Sequence, residues 1–414
     1  MKCLITLLFF VMLGTYTYPQ WIQQQLPATV DVWGLETRDS LVFAGTEIGF
    51  LMPGYIFRSN DFGVSWDTLD GLPYAGGWSI VFSDSILVAG SFGWGLYLSS
   101  DLGYTWTTPD SGISSDENVH VILKHGNNLF AGTAGTGSGI LRSSDNGNKW
   151  VSVNGGLSTF DFLSLASNGF DIYAGTASTG QVYCSTDNGN YWLLAGSGLP
   201  ANSGIASLAV KDSNVYAGLG SGEGVYYSSD NGSNWINISE PFFINQVWTI
   251  VLADTNLFVG TNGDGVFLTQ NNGLSWTPVN EGLTNLYIRS LIITENDYIF
   301  AGTTNGYVCY RPLSEIITGL MGTNNKQYSY SLSQNYPNPF NPATIIRYSI
   351  PHSSQVQITV YDILGNEIEI LVNEEKQSGT YELTWNAANL PSGVYFYQLK
   401  AGTYLQTRKM ILLR

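Results

Sequence analysis

Ser185-Thr186-Asp187-Asn188-Gly189-Asn190-Tyr191-Trp192 is one of six copies of a short pattern, Ser-x-Asp-x-Gly-x-x-Trp. Four more copies carry Asp61 with Trp66, Asp101 with Trp106, Asp145 with Trp150, and Asp230 with Trp235. A degenerate sixth has Thr269 and Asn271 in place of Ser and Asp, ahead of Trp276. The tryptophans stand 40, 44, 42, 43 and 41 residues apart. Such a beat in a chain of short strands is the period of a propeller blade. The residue types describe a turn. The carboxylate accepts bonds from nearby backbone N–H groups, the hydroxyl adds a second tie, and glycine takes positive φ. The tryptophan is expected to fill apolar space beside its own blade.

A second marker lies upstream of each turn, a strand ending in Ala-Gly-Thr or a variant of it. It recurs at Gly45, Gly90, Gly132, Gly175, Gly218, Gly260 and Gly302, spaced 45, 42, 43, 43, 42 and 42 residues. Seven such strands face only six turn motifs. After Gly302 the chain gives one more strand, 306–311, and the pattern stops at Pro312. The missing piece is at the other end, where Trp21-Ile22-Gln23-Gln24-Gln25-Leu26 begins 45 residues before Trp66. Residues 20–26 are therefore expected to complete a seventh blade built from 286–311, closing the ring without a loose seam. Within blade six, strands are expected at 247–253, 256–261, 265–269 and 275–279.

Composition agrees with strands and turns. Aromatic residues make up 14% of the 414, glycines number 47, and only 12% of residues are charged. Residues 21–325 hold 8 basic against 26 acidic residues, a net of −18, whereas 326–414 hold 7 against 6, a net of +1. The acidic body argues against a nucleic-acid partner. At the N-terminus, Lys2 followed by the apolar run 3–13 reads as a secretory signal over residues 1–17, too short to span a bilayer. No later segment is long enough to span. Beyond that signal only Cys184 and Cys309 remain, in the fourth and seventh repeats, and a ring would hold them apart, so no disulfide is expected.

The turn motif resembles the Asp-box (BNR) repeat of sialidase-like propellers. The resemblance covers residues 20–312 and implies an all-β fold, a seven-bladed β-propeller over 18–312. It also implies that the Asp-box turns lie on the outer part of the blades, on the face opposite the usual active site. Asp61, Asp101, Asp145, Asp187 and Asp230 are then structural, as are Trp66, Trp106, Trp150, Trp192, Trp235 and Trp276.

A linker is expected over 313–327. Short alternating strands follow at about 343–350, 355–361, 367–373, 379–386, 393–400 and 403–412, the pattern of a small immunoglobulin-like sandwich. Residues 328–414 resemble the type A C-terminal sorting domain of type IX secretion substrates. The resemblance is carried by Tyr336-Pro337-Asn338-Pro339-Phe340-Asn341-Pro342, Val360-Tyr361-Asp362-Ile363-Leu364-Gly365, Trp385-Asn386, Leu390-Pro391-Ser392-Gly393-Val394-Tyr395-Phe396-Tyr397 and the terminal Lys409-Met410-Ile411-Leu412-Leu413-Arg414. It implies a Bacteroidetes-type bacterium, passage through the periplasm, and the type IX machinery as partner of 328–414. It also implies release from the cell or anchoring on its surface.

Sialidase chemistry needs three convergent arginines. The propeller offers Arg38, Arg58, Arg142, Arg289 and Arg311, of which Arg58, Arg142 and Arg311 fall on third strands away from the axis. Xyloglucan-degrading relatives of Asp-box propellers use carboxylates, and glycosidases need two at a set separation. The candidates here are Asp31, Asp116, Glu117 and Asp161 ahead of inner strands, with Glu47, Glu223 and Asp264 in loops after second strands. Their other reading is solvated loop acids. His120, His125 and His352 form no catalytic triad and no metal-ligand spacing, so neither cofactor nor metal is expected.

One aromatic set stands out. Twelve residues before the marker glycines lie Trp33, Trp78, His120, Leu163, Ala206, Trp248 and Ser290. Trp94 adds to it from a loop near Phe92, and Phe50 and Met52 from the long loop 47–55. Projecting at the rim, Trp33, Trp78, Trp94 and Trp248 would make a platform for a sugar ring or an extended peptide; otherwise they fill the space between blades. The resulting expectation is a non-catalytic, secreted or surface-anchored protein that recognises a glycan or protein through its propeller rim. The alternative is a xyloglucanase- or sialidase-like glycoside hydrolase. A third reading, an assembly factor like the Asp-box propeller that helps build photosystem II, conflicts with the export route and the shortage of basic residues.

Overall fold

The computed structural model describes residues 20–47, 54–69, 72, 76–135, 137–239, 245–319, 331–332, 335, 337–350, 354–376, 379–402 and 404–413. The expected signal segment, Phe50, Met52, Tyr336 and His352 lie outside them. The chain divides into two compact units, Met1–Ile317 and Thr318–Arg414.

In the first unit, antiparallel sheets follow one another in chain order, four-stranded in all but one case. Their inner strands are Asp31–Arg38, Ser79–Ser83, Val119–His125, Phe162–Ser167, Ile205–Lys211, Val247–Ala253 and Ile288–Ile293. Each touches the next, and Ile288–Ile293 touches Asp31–Arg38, so the series closes on itself as a propeller. The sheet that starts at Ser79 has three strands, and its fourth position is reduced to a single bridge between Leu98 and Thr107. Blade six runs Val247–Ala253, Asn256–Thr261, Val266–Thr269 and Thr277–Pro278.

Ring closure is antiparallel pairing of Ile22–Gln25 with Tyr307–Pro312, from Ile22 opposite Tyr310 to Gln25 opposite Tyr307. Trp21 adds a second lock. Its ring is buried and its Nε1 donates to Val279 O of blade six at 2.6 Å.

That bond has counterparts in three of the repeat tryptophans, which reach the preceding blade as well as the apolar space beside their own. The rings fill the seam between their own blade and the one before; Trp66 and Trp150 donate to the Gly63 and Gly147 carbonyls of their own turns at 3.1 and 2.7 Å, while three others bond across the seam. Trp192 Nε1 donates to Val153 O at 2.8 Å, Trp235 Nε1 to Ala195 O at 3.2 Å and Trp276 Nε1 to Ile238 O at 2.7 Å. In each case the acceptor lies beside the fourth strand of the blade before. Trp192, for example, shares a buried cluster with Phe130, Ile140 and Val153 of the preceding blade and with Ile172, Ala174 and Tyr183 of its own. Trp21 supplies the same contact for the seventh seam, 258 residues away in sequence.

The Asp turns are bonded alike. Ser59 Oγ donates to Asp61 Oδ1 at 2.8 Å and accepts Gly63 N at 2.7 Å, while Ser65 N donates to Asp61 Oδ1 at 2.8 Å. Copies of this net recur at Asp101, Asp145, Asp187 and Asp230, and Asn271 keeps its geometry without the charge. Hydrogen bonds from Ser65 hold the Asp61 carboxyl down at about 2. At Gly189, with φ of +79°, a Cβ would stand 2.4 Å from Phe130, so only glycine lets the turn approach the seam.

In the second unit, one sheet contains Ser331–Leu332, Ala343–Ile350 and Gly379–Asn386; the other is ordered Glu367–Lys376, Ser354–Tyr361, Gly393–Ala401, Tyr404–Leu412. Phe340, Tyr348, Ile358, Trp385, Tyr397 and Leu412 are among the buried residues of its core. The proline-rich segment is tied to the terminal strand: Phe340 N donates to Ile411 O, and Leu413 N to Phe340 O, both at 3.0 Å. The segment expected as a linker begins with a short helix, Leu313–Gly319.

Candidate functional site: the axial mouth

Each inner strand begins with a local irregularity that aims one side chain at the propeller axis. In blade one, Val32 pairs with Thr46 and Gly34 with Gly45, leaving Trp33 as the extra residue. The same shift leaves His120, Leu163, Ala206, Trp248 and Arg289 unpaired in their strands. In blade two, Trp78 stands just ahead of Ser79, its N–H bonded to Gly90 O at 2.8 Å. A bulge re-aims a side chain in this way, and here the repetition gathers seven residues around one cavity of about 290 Å3.

The seventh member is therefore Arg289, not Ser290 as the count from the marker glycine gives. In the other blades the marker glycine pairs with the residue eleven before it, as Gly34 with Gly45. In blade seven Ser290 pairs with Gly302, twelve apart. Ile293 pairs with Ile299, so the first hairpin has an odd number of turn residues, where the other blades have two or four. A signal was present in the sequence: Ile288-Arg289-Ser290-Leu291 aligns with Phe162-Leu163-Ser164-Leu165 and Ile205-Ala206-Ser207-Leu208. Ser290 instead ties blades, its Oγ donating to Val32 O at 2.8 Å.

The mouth is lopsided. Trp33 stacks on Trp78 at 5.2 Å between ring centroids and meets Trp248 edge-on at 5.5 Å. Trp78 stacks on Phe92 at 5.1 Å and meets His120 edge-on at 4.4 Å. Arg289 places its guanidinium 4.8 Å from the Trp33 ring centroid and 5.4 Å from that of Trp248. Its Nε lies 3.5 Å from Asp31 Oδ2, and its Nη1 donates to Asn262 Oδ1 at 3.1 Å. On the remaining side Leu163 and Ala206 carry shorter side chains and leave the space open. Burial pushes the His120 imidazole down to about 4, against the attraction of Asp161. The aromatics neither fill the seams between blades nor stand on an outer rim; they surround the axis. Trp94 is not part of this lining and is 46% exposed.

The candidate carboxylates belong to loops and strand starts on the same face, yet none of them lines the axial cavity. Asp31 serves Arg289. Glu47 stands opposite Asp31 across the first two strands and accepts from Trp78 Nε1. Burial raises the Glu47 carboxyl, the Trp78 bond opposes this, and the Asp31 charge adds to it. Asp116 accepts from Ser114 Oγ; Glu117 is buried and accepts from Ser138 Oγ at 2.6 Å. Asp161 accepts Gly135 N at 2.6 Å, Glu223 accepts from Ser203 Oγ at 2.9 Å, and Asp264 accepts from Asn245 Nδ2.

The arginines do not converge. Arg58 bonds Tyr104 Oη at 2.7 Å, Arg142 bonds Asn188 O at 2.8 Å and Arg38 bonds Asp84 O at 2.9 Å, in separate blades of the opposite face. His125 Nδ1 meets Ser167 Oγ at 2.7 Å, also toward that face. Cys184 and Cys309 are both free thiols. Among the described residues no group of His, Cys, Asp and Glu is placed to hold a metal ion, and no helix is long and apolar enough to cross a membrane.

Comparison with known proteins gives two results. Residues 334–413 match the family described as the secretion system C-terminal sorting domain. This is the tail of type IX secretion, and it marks the protein for export to the cell surface or beyond. Among curated proteins no sequence matches the chain. Among solved structures, YCF48 bound to a D1 peptide is similar at a TM-score of 0.58 and 13% identity, over 72% of this chain and 96% of that one. PorZ, a surface component of the type IX secretion system of Porphyromonas gingivalis, gives a TM-score of 0.52 and 18% identity. That match covers 93% of this chain but only 59% of PorZ. The WD40 propeller domain of Doa1 gives 0.57 and 13%, over 71% of this chain and 96% of that one. At these identities the likeness establishes the propeller fold alone.

Proposed function

We propose that the propeller is a non-catalytic recognition module, displayed or released by the type IX route, that takes a glycan or protein ligand at the axial mouth. One observation carries this reading. The strand irregularities direct Trp33, Trp78, His120, Trp248 and Arg289 toward one cavity while two blades contribute only Leu163 and Ala206. Apolar pockets with a few fixed polar groups at the mouth of a closed β-architecture are common ligand sites. On this reading residues 1–17 are a signal peptide, 18–312 the propeller, 313–327 a linker and 328–414 the tail that meets the export machinery.

The test is binding to immobilised glycans and to peptide libraries by the propeller-containing chain. Trp248→Ala should abolish whatever binding is found, and Trp94→Ala should leave it near the native level. Binding indifferent to Trp248 and Trp33 would refute the mouth as the site.

A second reading, glycoside hydrolysis, is favoured by one pair: Asp31 and Glu47 are direct cross-strand partners, and Glu47 has the raised carboxyl an acid needs. Release of reducing sugar that vanishes in both Asp31→Asn and Glu47→Gln would favour it over simple binding.

A further inference from the structure

Basic residues are sorted between the two faces of the propeller, while acidic residues lie on both. Toward the mouth lie Asp31, Glu47, Asp116, Glu117, Asp161, Glu223 and Asp264. None of the loops joining second to third strands, and none of the connectors joining one blade to the next, contains a lysine or arginine. Arg289 is the single base at the mouth. The other seven bases of the propeller lie toward the opposite face. Lys124 and Lys211 there pair with Asp84 at 3.4 Å and Asp254 at 3.2 Å. Arg311 pairs with Glu281 at 3.6 Å.

We infer that the mouth receives a basic segment of polypeptide, one lysine or arginine side chain entering the axial cavity among the tryptophans. This rests on the binding reading above and names the ligand class. Three observations support a cation over a neutral or anionic ligand. The cavity wall already holds a cation over indole faces, since Arg289 lies against Trp33 and Trp248. Both distances lie within the range of a cation–π contact. Arg289 is itself neutralised by Asp31, and the neighbouring imidazole stays uncharged, so no net positive charge repels an incoming cation. The surrounding carboxylates take hydroxyl or amide donors, as Asp161, Glu223 and Asp264 do, and such partners orient a carboxylate without cancelling its charge. A face of one sign focuses its field into the cleft at its centre and speeds the approach of opposite charge. A long, narrow basic side chain also suits a cavity of about 290 Å3 better than a folded surface does.

The experiment uses the chain lacking only its signal segment. A short fluorescent oligoarginine peptide is titrated by anisotropy beside its citrulline counterpart, which keeps the shape and loses the charge. Oligoarginine should bind, the citrulline peptide should bind at least about tenfold more weakly, and raising salt to about 0.5 M should weaken binding by a similar factor. Trp248→Ala should weaken oligoarginine at both salt levels, and the folded-surface change Asp161→Asn with Asp264→Asn should weaken it mainly at low salt. Equal binding of both peptides overturns the inference. Salt-sensitive binding that ignores Trp248→Ala and Trp33→Ala overturns it too, since it would be charge attraction away from the mouth. If neutral glycans bind in a Trp248-dependent way and oligoarginine does not, the ligand class fails while the recognition reading stands. If no glycan or peptide binds, both fail.

Discussion

On the turn face, five aspartates make the same bonds in five blades: each accepts the hydroxyl two residues before it and the backbone N–H four residues after it. On the mouth face, the seven acids have almost as many kinds of partner, from a guanidinium to an indole, serine hydroxyls, an amide and a backbone amide. The contrast separates what a repeat protein must keep in every repeat from what it varies. Residues that set the turn and fill the seam are repeated because each blade faces the same packing problem. The axial position differs from blade to blade, Trp, Trp, His, Leu, Ala, Trp and Arg, although the backbone irregularity that presents it recurs. The constant backbone supports a variable surface, which is where recognition is expected.

The largest effects should come from the seams. Trp192→Ala removes a fully buried ring and should lower unfolding free energy by ~3–5 kcal/mol, read from urea midpoints at constant slope. Trp21→Ala should cost a comparable amount, because Trp21 makes the same interblade bond. Trp94→Ala, at an exposed mouth position, should stay within about 0.5 kcal/mol. A Trp21 variant as mild as the Trp94 variant would break the claim that the N-terminus locks the ring.

Two sets of carboxylates in the propeller should also respond oppositely to pH. Asp61, Asp101 and Asp230 have folded-state values of about 2, below the usual 3.8, owing to side-chain and backbone donors. Their stabilisation is complete above the unfolded value and is lost as pH falls through about 4 to 2. Stability measured by denaturant in that window should drop, and less steeply in Asp61→Asn. Glu36, on the inner strand of blade one, has the reverse sign. Burial pushes its carboxyl up to about 7, against a bond from Thr37 N–H. Native protein then holds a proton that unfolded protein has released, so stability falls as pH rises from about 4.5 to 7. Glu36→Gln should flatten that slope. A decline that persists in Glu36→Gln would assign it to another group, with the raised Glu47 the next to test.

The smallest stability effects belong to the mouth acids. Asp264→Asn should change unfolding free energy by no more than about 0.5 kcal/mol, since its partner Asn245 can bond the amide as well. A loss as large as that of Trp192→Ala would make the acid a structural element and erase the distinction between the faces.

Much of the ring was legible because its signals are local. The Asp turn closes over four residues, the marker glycine over one strand, and the distance between copies counts blades without knowledge of any contact. The pairing of residues 22–25 with the last sheet could be read from a missing fourth strand at one end and a spare one at the other. In the tail, strands Ala343–Ile350 and Gly379–Asn386 match the alternation in sequence, while the short strand Ser331–Leu332 carries too few residues to show a period. The tryptophan contacts were harder to read. Nothing within the motif says that the Trp192 indole bonds Val153, 39 residues earlier, while that of Trp150 bonds the glycine of its own turn.

The sequence by itself determined the all-β repeat, the closure of its two ends and the export tail, because each depends on short-range turn chemistry or on counting. Only the tertiary structure decided which seam each indole fills, that Arg289 rather than Ser290 reaches the axis, and that the mouth holds one base among its acids. Those outcomes follow from strand register and from contacts between residues a full blade apart. A single odd-numbered hairpin is enough to exchange the side chain that faces the axial cavity for the one that ties the blades.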